Sequence, residues 1–332
     1  MSGSKALRGQ TLAMNANDPS ADNTQSVDKP FGHALIELAR QRADIVGLTA
    51  DLGKYTDIDI FGREFPDRYF QVGMAEQNLI GIAAGLANAG YTPFATTYCV
   101  FATRRAYDFI AIDLAYGRSN VKIIAGLPGL TTGYGATHQG IDDLALMRAI
   151  PGLVVIDPCD STEILQAVPI IASHPGPVYM RLLRGSVKQV LDPTTYQFRI
   201  GKAHLLRPAR DLLFISTGIM TDRALQAAAM LATLGVEAGV LHMSTIKPFD
   251  SAAVVENARK CPRVITLENH TVVGGLGSAV CEALCLGGVS IKLTKIGIPD
   301  KFVECGSVAY LTEKYGLSTR QICLTAETFL KS

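Results

Sequence analysis

The 332-residue sequence lacks most features that commit a chain to a membrane, a nucleic acid, a metal or an oxidising compartment. No apolar run reaches the roughly 18 residues of a membrane-spanning helix. The N-terminus has no apolar core of a secretory signal. Formal net charge is only +1 and no lysine- or arginine-rich run occurs, which argues against a nucleic-acid or membrane-surface partner. The seven cysteines are Cys99, Cys159, Cys261, Cys281, Cys285, Cys305 and Cys323. They form no CxxC and no cysteine–histidine pairing with zinc spacing. Reduced thiols in a cytoplasmic setting are the expectation. Charged residues make up 18% of the chain against 48% hydrophobic, a greasy balance that leaves apolar surface for a subunit interface.

What is present is an alternation of short apolar runs with helical patterns. Residues 1–27 are polar and aperiodic, and are expected to form a mobile or partner-contacting arm. Beyond Pro30, strands are expected at 45–48, 93–100, 121–125, 153–156 and 178–182. Helices are expected near 31–39, at 104–116 and 142–149, and at 161–172 with Ser161 as its cap. Such alternation specifies an α/β fold with mainly parallel sheets. Patterning weakens across 187–210 and then resumes. Strands follow at 212–216, 238–242, 264–268 and 292–296, with helices at 221–234, 252–258, 277–286 and 308–315. The expected organisation is therefore two doubly wound domains, 28–190 and 191–332.

The most informative stretch begins at Gly73-Met74-Ala75-Glu76-Gln77. Leu79, Ile80, Ala83, Ala84 and Ala87 recur at helical spacing behind it, as in a buried helix. Gly81 and Gly85 each cost that helix about 1 kcal/mol relative to alanine. Close packing against another backbone is the usual compensation. Glu76 enters the first turn of this apolar helix, where burial without a partner is costly. It is either an acid facing the helix dipole or a buried acid that exchanges a proton with a heterocycle.

Tyr98, Phe101 and Arg104 follow at intervals of three, which on a helical segment places two rings and a guanidinium on one face. That face is either a stacking wall for a flat heterocycle or a core aromatic pair beside a surface arginine. The glycine-rich loop 126–140 has no periodicity, and loops of that length inside a compact domain are usually functional. It ends in Thr137-His138-Gln139-Gly140. A histidine there is either solvated or a proton donor and acceptor near neutral pH. Thr49-Ala50-Asp51-Leu52 sits at the carboxyl end of a strand, where open α/β sheets bind ligands.

Taken together, TADL at 49–52, GMAEQ at 73–77, Tyr98-x-x-Phe101 and THQG at 137–140 resemble the thiamine-diphosphate enzymes of the transketolase family. The resemblance runs from Pro30 almost to the end. Leu267-Glu268-Asn269-His270 and Gly274-Gly275-Leu276-Gly277 resemble the family's carboxy-terminal domain. The family's diphosphate-binding domain, with its Gly-Asp-Gly motif, has no counterpart here. The resemblance thus implies the second half of a split transketolase. A separate subunit would carry magnesium and the diphosphate, in an assembly of two of each. It also implies that Glu76 bonds the aminopyrimidine, that Tyr98, Phe101 and Arg104 line it, and that Asp51 lies near the thiazolium. His138 would assist proton transfer at the donor's hydroxyls, and Arg184 would hold its phosphate or a sulfonate.

Three departures bear on the substrate. An acid, Asp28, stands near the position of a second family arginine. Gly126 and Gly133-Tyr134 replace an additional histidine and an acidic pair, which implies an unusual, branched or differently substituted acceptor. Arg104 replaces a tyrosine, as in deoxyxylulose-phosphate synthases. Such a synthase, the beta subunit of a 2-oxo-acid dehydrogenase, and a catalytically silent module on the same fold are the alternatives. THQG favours ketol transfer. Glu268 and His270 could be an acid–base pair, but are better read as closing a packed strand.

Overall fold

The computed structural model describes residues 25–332, so most of the expected arm lies outside the described residues. The first half runs β1 (Ser26–Asp28), α1 (Pro30–Gln41), β2 (Ile45–Thr49), α2 (Asp59–Glu64), β3 (Tyr69–Gln71), α3 (Glu76–Asn88), β4 (Thr92–Tyr98), α4 (Cys99–Phe109), β5 (Lys122–Gly126), α5 (Asp143–Ala149), β6 (Val154–Ile156), α6 (Ser161–Ser173), β7 (Val178–Leu182) and β8 (Ser186–Lys188). The second half runs β9 (His204–Arg207), β10 (Leu212–Ser216), α7 (Met220–Thr233), β11 (Ala238–His242), β12 (Thr245–Lys247), α8 (Ser251–Ala258), β13 (Arg263–Thr271), α9 (Leu276–Leu286), β14 (Lys292–Ile298), α10 (Val308–Lys314) and α11 (Thr319–Lys331).

Every residue of β2, β4, β5 and β7 is buried, as expected of parallel strands covered by helices on both faces. They form the middle of a seven-stranded sheet ordered β12-β6-β7-β5-β4-β2-β3. A second sheet, β14-β13-β10-β11-β9, is parallel except for its edge strand β9. The α/β class and mainly parallel sheets expected from the sequence are present.

The two halves are more entangled than two consecutive domains. Strand β12 belongs to the second half yet pairs antiparallel with β6 of the first, Thr245 opposite Ile156. One apolar core joins Leu144, Met147 and Ile150 to Leu213, Leu241 and Val264. Fully buried Arg181 adds a polar seam, bonding Asp143 at 2.5 Å, Asp157 at 3.2 Å and the backbone oxygen of Asn269 at 3.3 Å.

Four local expectations need correction. The cap of α6 is Asp160, whose Oδ1 accepts the Glu163 N–H at 2.8 Å, and not Ser161. The helix expected at 104–116 begins at Cys99 and continues as a π-helical segment, Ile110–Tyr116. Helix α11 was not anticipated, although it buries Ile322, Cys323 and Ala326. Gly81 and Gly85 meet no close backbone of another element among the described residues: a Cβ on either would find no atom within 4 Å beyond its own helix. Among the described residues no helix is long and apolar enough to cross a membrane. All seven cysteines are free.

Candidate active site

Strands β2, β4 and β5 are parallel neighbours, with Thr49 opposite Thr96 and Tyr98 opposite Gly126. Their carboxyl ends therefore deliver Asp51, Tyr98 and the glycine-rich loop to one edge, the position where open parallel sheets bind ligands. Two non-glycine residues there have left-handed backbone, Asp51 at φ +59° and Leu127 at φ +54°. The conformation is common for aspartate but costly for leucine, and such strain concentrates at functional sites.

Glu76 is the first residue of α3 and only 3% exposed. It is not alone, because the Arg105 guanidinium donates to its Oε1 at 3.0 Å. The same guanidinium lies over the Phe101 ring, 4.0 Å from its centroid. Tyr98, 5% exposed, stands 5.7 Å from Phe101 between ring centroids. Burial raises the pKa of the Tyr98 phenol while Arg184 opposes the shift, so the ring remains a neutral wall at pH 7.

Arg104 does not share that wall. Its Nη2 and Nε bond Asp142 at 2.9 and 3.0 Å, and its Nη1 approaches the Ala136 carbonyl at 3.4 Å. Tyr98 is the last residue of β4, so the interval of three from Tyr98 to Phe101 does not run along one helix. Within α4 the residue one turn beyond Phe101 is Arg105.

The glycine-rich loop closes on itself where Gly129 N–H bonds the Gly140 carbonyl at 2.8 Å. His138 is carried back over the wall, 5.4 Å from Phe101 and 6.3 Å from Tyr98, with Tyr134 at 5.6 Å. Its Nδ1 lies 2.8 Å from Thr137 Oγ1, while Nε2 has no partner among the described residues. Gln139 is 1% exposed. Its Nε2 bonds the Thr132 carbonyl at 3.2 Å, and its buried Oε1 is unpaired.

Arg184 follows β7 and is exposed, with its guanidinium 5.8 Å from the Tyr55 ring. It lines a cleft of about 470 Å³ between the halves, with Leu127, Thr131, Leu182, Ile219 and Arg223. Glu268 and His270 play no part in this edge. Both are fully buried; Glu268 accepts the N–H groups of Leu276 and Gly277 at 2.7 and 2.9 Å, and burial raises its pKa to about 7.

A buried carboxylate, an aromatic pair and a histidine lie together at the carboxyl end of a parallel sheet. They belong to a doubly wound α/β protein with mainly parallel sheets. Residues 23–189 match the transketolase pyrimidine binding domain, and residues 201–322 match the transketolase C-terminal domain. The chain is 51% identical over 322 residues to a transketolase family protein, y4mN, of Sinorhizobium fredii, covering 96% of this chain and 93% of that one. It is 43% identical over 294 residues to the 6-deoxy-6-sulfo-D-fructose transketolase subunit SqwH of a Clostridium species, covering 88% and 90%. Among solved structures, a split gene transketolase described as an inactive β4 tetramer superposes with a TM-score of 0.84. It is 42% identical and covers 91% of this chain and 97% of that one. The chain belongs to the transketolase family. The pyrimidine-binding domain implies dependence on thiamine diphosphate.

Proposed function

We propose that this chain is the pyrimidine-binding subunit of a heteromeric transketolase, which moves a two-carbon ketol unit from a ketose phosphate to an aldose or aldose phosphate. The observation that carries the reading is the placement of Glu76. It is a carboxylate 3% exposed at a helix start, tied through Arg105 to the aromatic wall that His138 overhangs.

Thiamine diphosphate, when bound, would supply the carbon nucleophile for transfer of the ketol unit. This chain's residues do the rest. Glu76 holds a proton at a ring nitrogen of the aminopyrimidine. Tyr98 and Phe101 stack on that ring and exclude water. Asp51 places negative charge near the cationic thiazolium. The free Nε2 of His138 exchanges a proton with the donor's hydroxyls. Arg184 receives the distal phosphate or sulfonate as a fork of donors. Arg104 acts at one remove, strapping the loop through Asp142 and Ala136.

A separate diphosphate-domain subunit, holding magnesium, completes the site in an α2β2 assembly. The open faces of Gly81 and Gly85, with exposed Met74, Ile112 and Tyr116, offer it an apolar surface. A relative that is inactive as a β4 tetramer supports the need for it. Seven free thiols support a reducing, cytoplasmic setting. The test is reconstitution: ketol transfer appears when the chain, its Gly-Asp-Gly-bearing partner, thiamine diphosphate and magnesium are mixed. Oxidation of pyruvate with an artificial acceptor, without activity on sugars, would contradict it.

A further inference from the structure

The loop that carries His138 is held from the other half of the chain. Asn269, near the end of β13 and 2% exposed, donates from Nδ2 to the Pro128 carbonyl at 3.1 Å and accepts the Leu130 N–H on Oδ1 at 2.9 Å. One planar amide thus satisfies an acceptor and a donor two residues apart on the outgoing limb. Two residues later along the strand, Thr271 N–H bonds the Ile141 carbonyl on the returning limb at 2.7 Å. Leu130 and Ile141 are buried among Phe214, Leu267 and Ile298 of the second half.

The glycines of the loop record the same contact. Gly129 has φ +54°, and a Cβ there would fall 2.5 Å from Asn269 Cγ. A Cβ on Gly133 would run into the Gly306 carbonyl, whose N–H in turn bonds the Gly133 carbonyl at 3.1 Å. Gly129, Gly133 and Gly135 thus lie against the second half, at Asn269, Gly306 and Cys305. Between the clasped limbs, the intervening segment brings His138 to 5.4 Å from Phe101.

We propose that Asn269 is a positioning residue for ketol transfer. It fixes the neck of the loop so that His138 stays over the aromatic wall, and it touches neither cofactor nor substrate. Among uncharged side chains of this size only an amide both donates and accepts in this way. Aspartate keeps the bond from Leu130 and loses the one to Pro128. Leucine of similar volume loses both. The kinetic part rests on the proposed function; the clasp itself does not.

The experiment compares Asn269→Asp and Asn269→Leu in the full chain, alone and with its partner subunit. In the chain alone, hydrogen exchange of residues 129–141 is expected to rise about tenfold or more with leucine, and less with aspartate. In the complex, kcat with a ketose phosphate is expected to fall about tenfold or more, following the order of the exchange rates. Thiamine diphosphate affinity is expected to stay within about twofold, since Glu76, Tyr98 and Phe101 sit on α3, β4 and α4. If leucine prevents folding, the isosteric aspartate variant carries the test.

Loop exchange and kcat unchanged in Asn269→Asp would overturn the proposal. So would parallel losses of kcat, cofactor affinity and melting temperature, which mark a general structural role. A wild-type complex that turns over no ketose would contradict the functional reading, while the exchange comparison still decides the clasp.

Discussion

The Arg105 guanidinium bonds the Glu76 carboxylate at 3.0 Å and sits 4.0 Å from the centroid of the Phe101 ring, so one cation couples the buried acid to the stacking wall. Arg105 is half exposed, and the pair contributes about 1 kcal/mol or less to stability. Its larger effect is on geometry. In the reconstituted enzyme, Arg105→Gln should lower kcat by about tenfold while the melting temperature moves little, because misplacement of a catalytic group is costly to rate. A loss of stability with unchanged kcat would mean that the contact serves packing alone.

Assembly should depend on the bare faces of Gly81 and Gly85. Beyond their own helix, a Cβ on either would meet no atom within 4 Å among the described residues. Gly85→Ala should leave the isolated chain folded, and stabilise it by up to about 1 kcal/mol through helix propensity. Gly81→Leu with Gly85→Leu should also fold but should not bind the partner subunit, which sedimentation of the mixture would show. Normal assembly of the double leucine variant would place the interface elsewhere.

One buried pair between the halves should contribute most to stability in mildly acidic solution. Glu163 on α6 and His242 on β11 are fully buried, with Oε2 and Nε2 2.9 Å apart. Burial disfavours the charge on each, but the opposite charge wins, raising the His242 pKa above its ordinary 6.5 and lowering that of Glu163 below 4.5. The histidine contributes fully below 6.5, and its contribution is lost as pH rises through the raised value. The glutamate contributes fully above 4.5, and its contribution is lost as pH falls through the lowered value. The pair is therefore strongest between pH 4.5 and 6.5. His242→Gln should cost about 3 kcal/mol there and flatten the alkaline limb of melting temperature against pH. An unchanged alkaline limb would assign that limb to other groups.

Arg184 should act on affinity more than on rate. It is exposed beside the interdomain cleft and 5.8 Å from the Tyr55 ring. Arg184→Ala should raise KM for a ketose phosphate about tenfold to a hundredfold, since a charge-assisted bidentate bond is lost. KM for the ketose without its anionic group should hardly change. Equal effects on both would remove Arg184 from the anion's binding site.

The parts of this site that sequence reading could recover are local. The Glu76 helix, the strand ending at Tyr98 and the His138 loop each declare themselves within about fifteen residues, through periodicity, a strand end and a glycine run. The missed parts are contacts between distant segments. Arg105 meets Glu76 across 29 positions and Asn269 meets Leu130 across 139, and neither pairing leaves a local pattern. Strand β12 is three residues long and pairs back into the first sheet, so the second series of strands did not reveal it. Gly81 and Gly85 stand out in the sequence, but no close packing partner for them lies among the described residues.

The central claim is that Glu76 supports ketol transfer in a site that only two different subunits complete. It is tested most directly by measuring transfer from a ketose phosphate to an aldose phosphate with thiamine diphosphate and magnesium, for the chain alone, for the chain with its partner, and for the Glu76→Gln chain with its partner. The expected result is turnover in the second mixture only, with the variant folded, assembled and at least about a hundredfold slower, as for removal of an acid–base group. Equal turnover by the wild-type and Glu76→Gln complexes would contradict it.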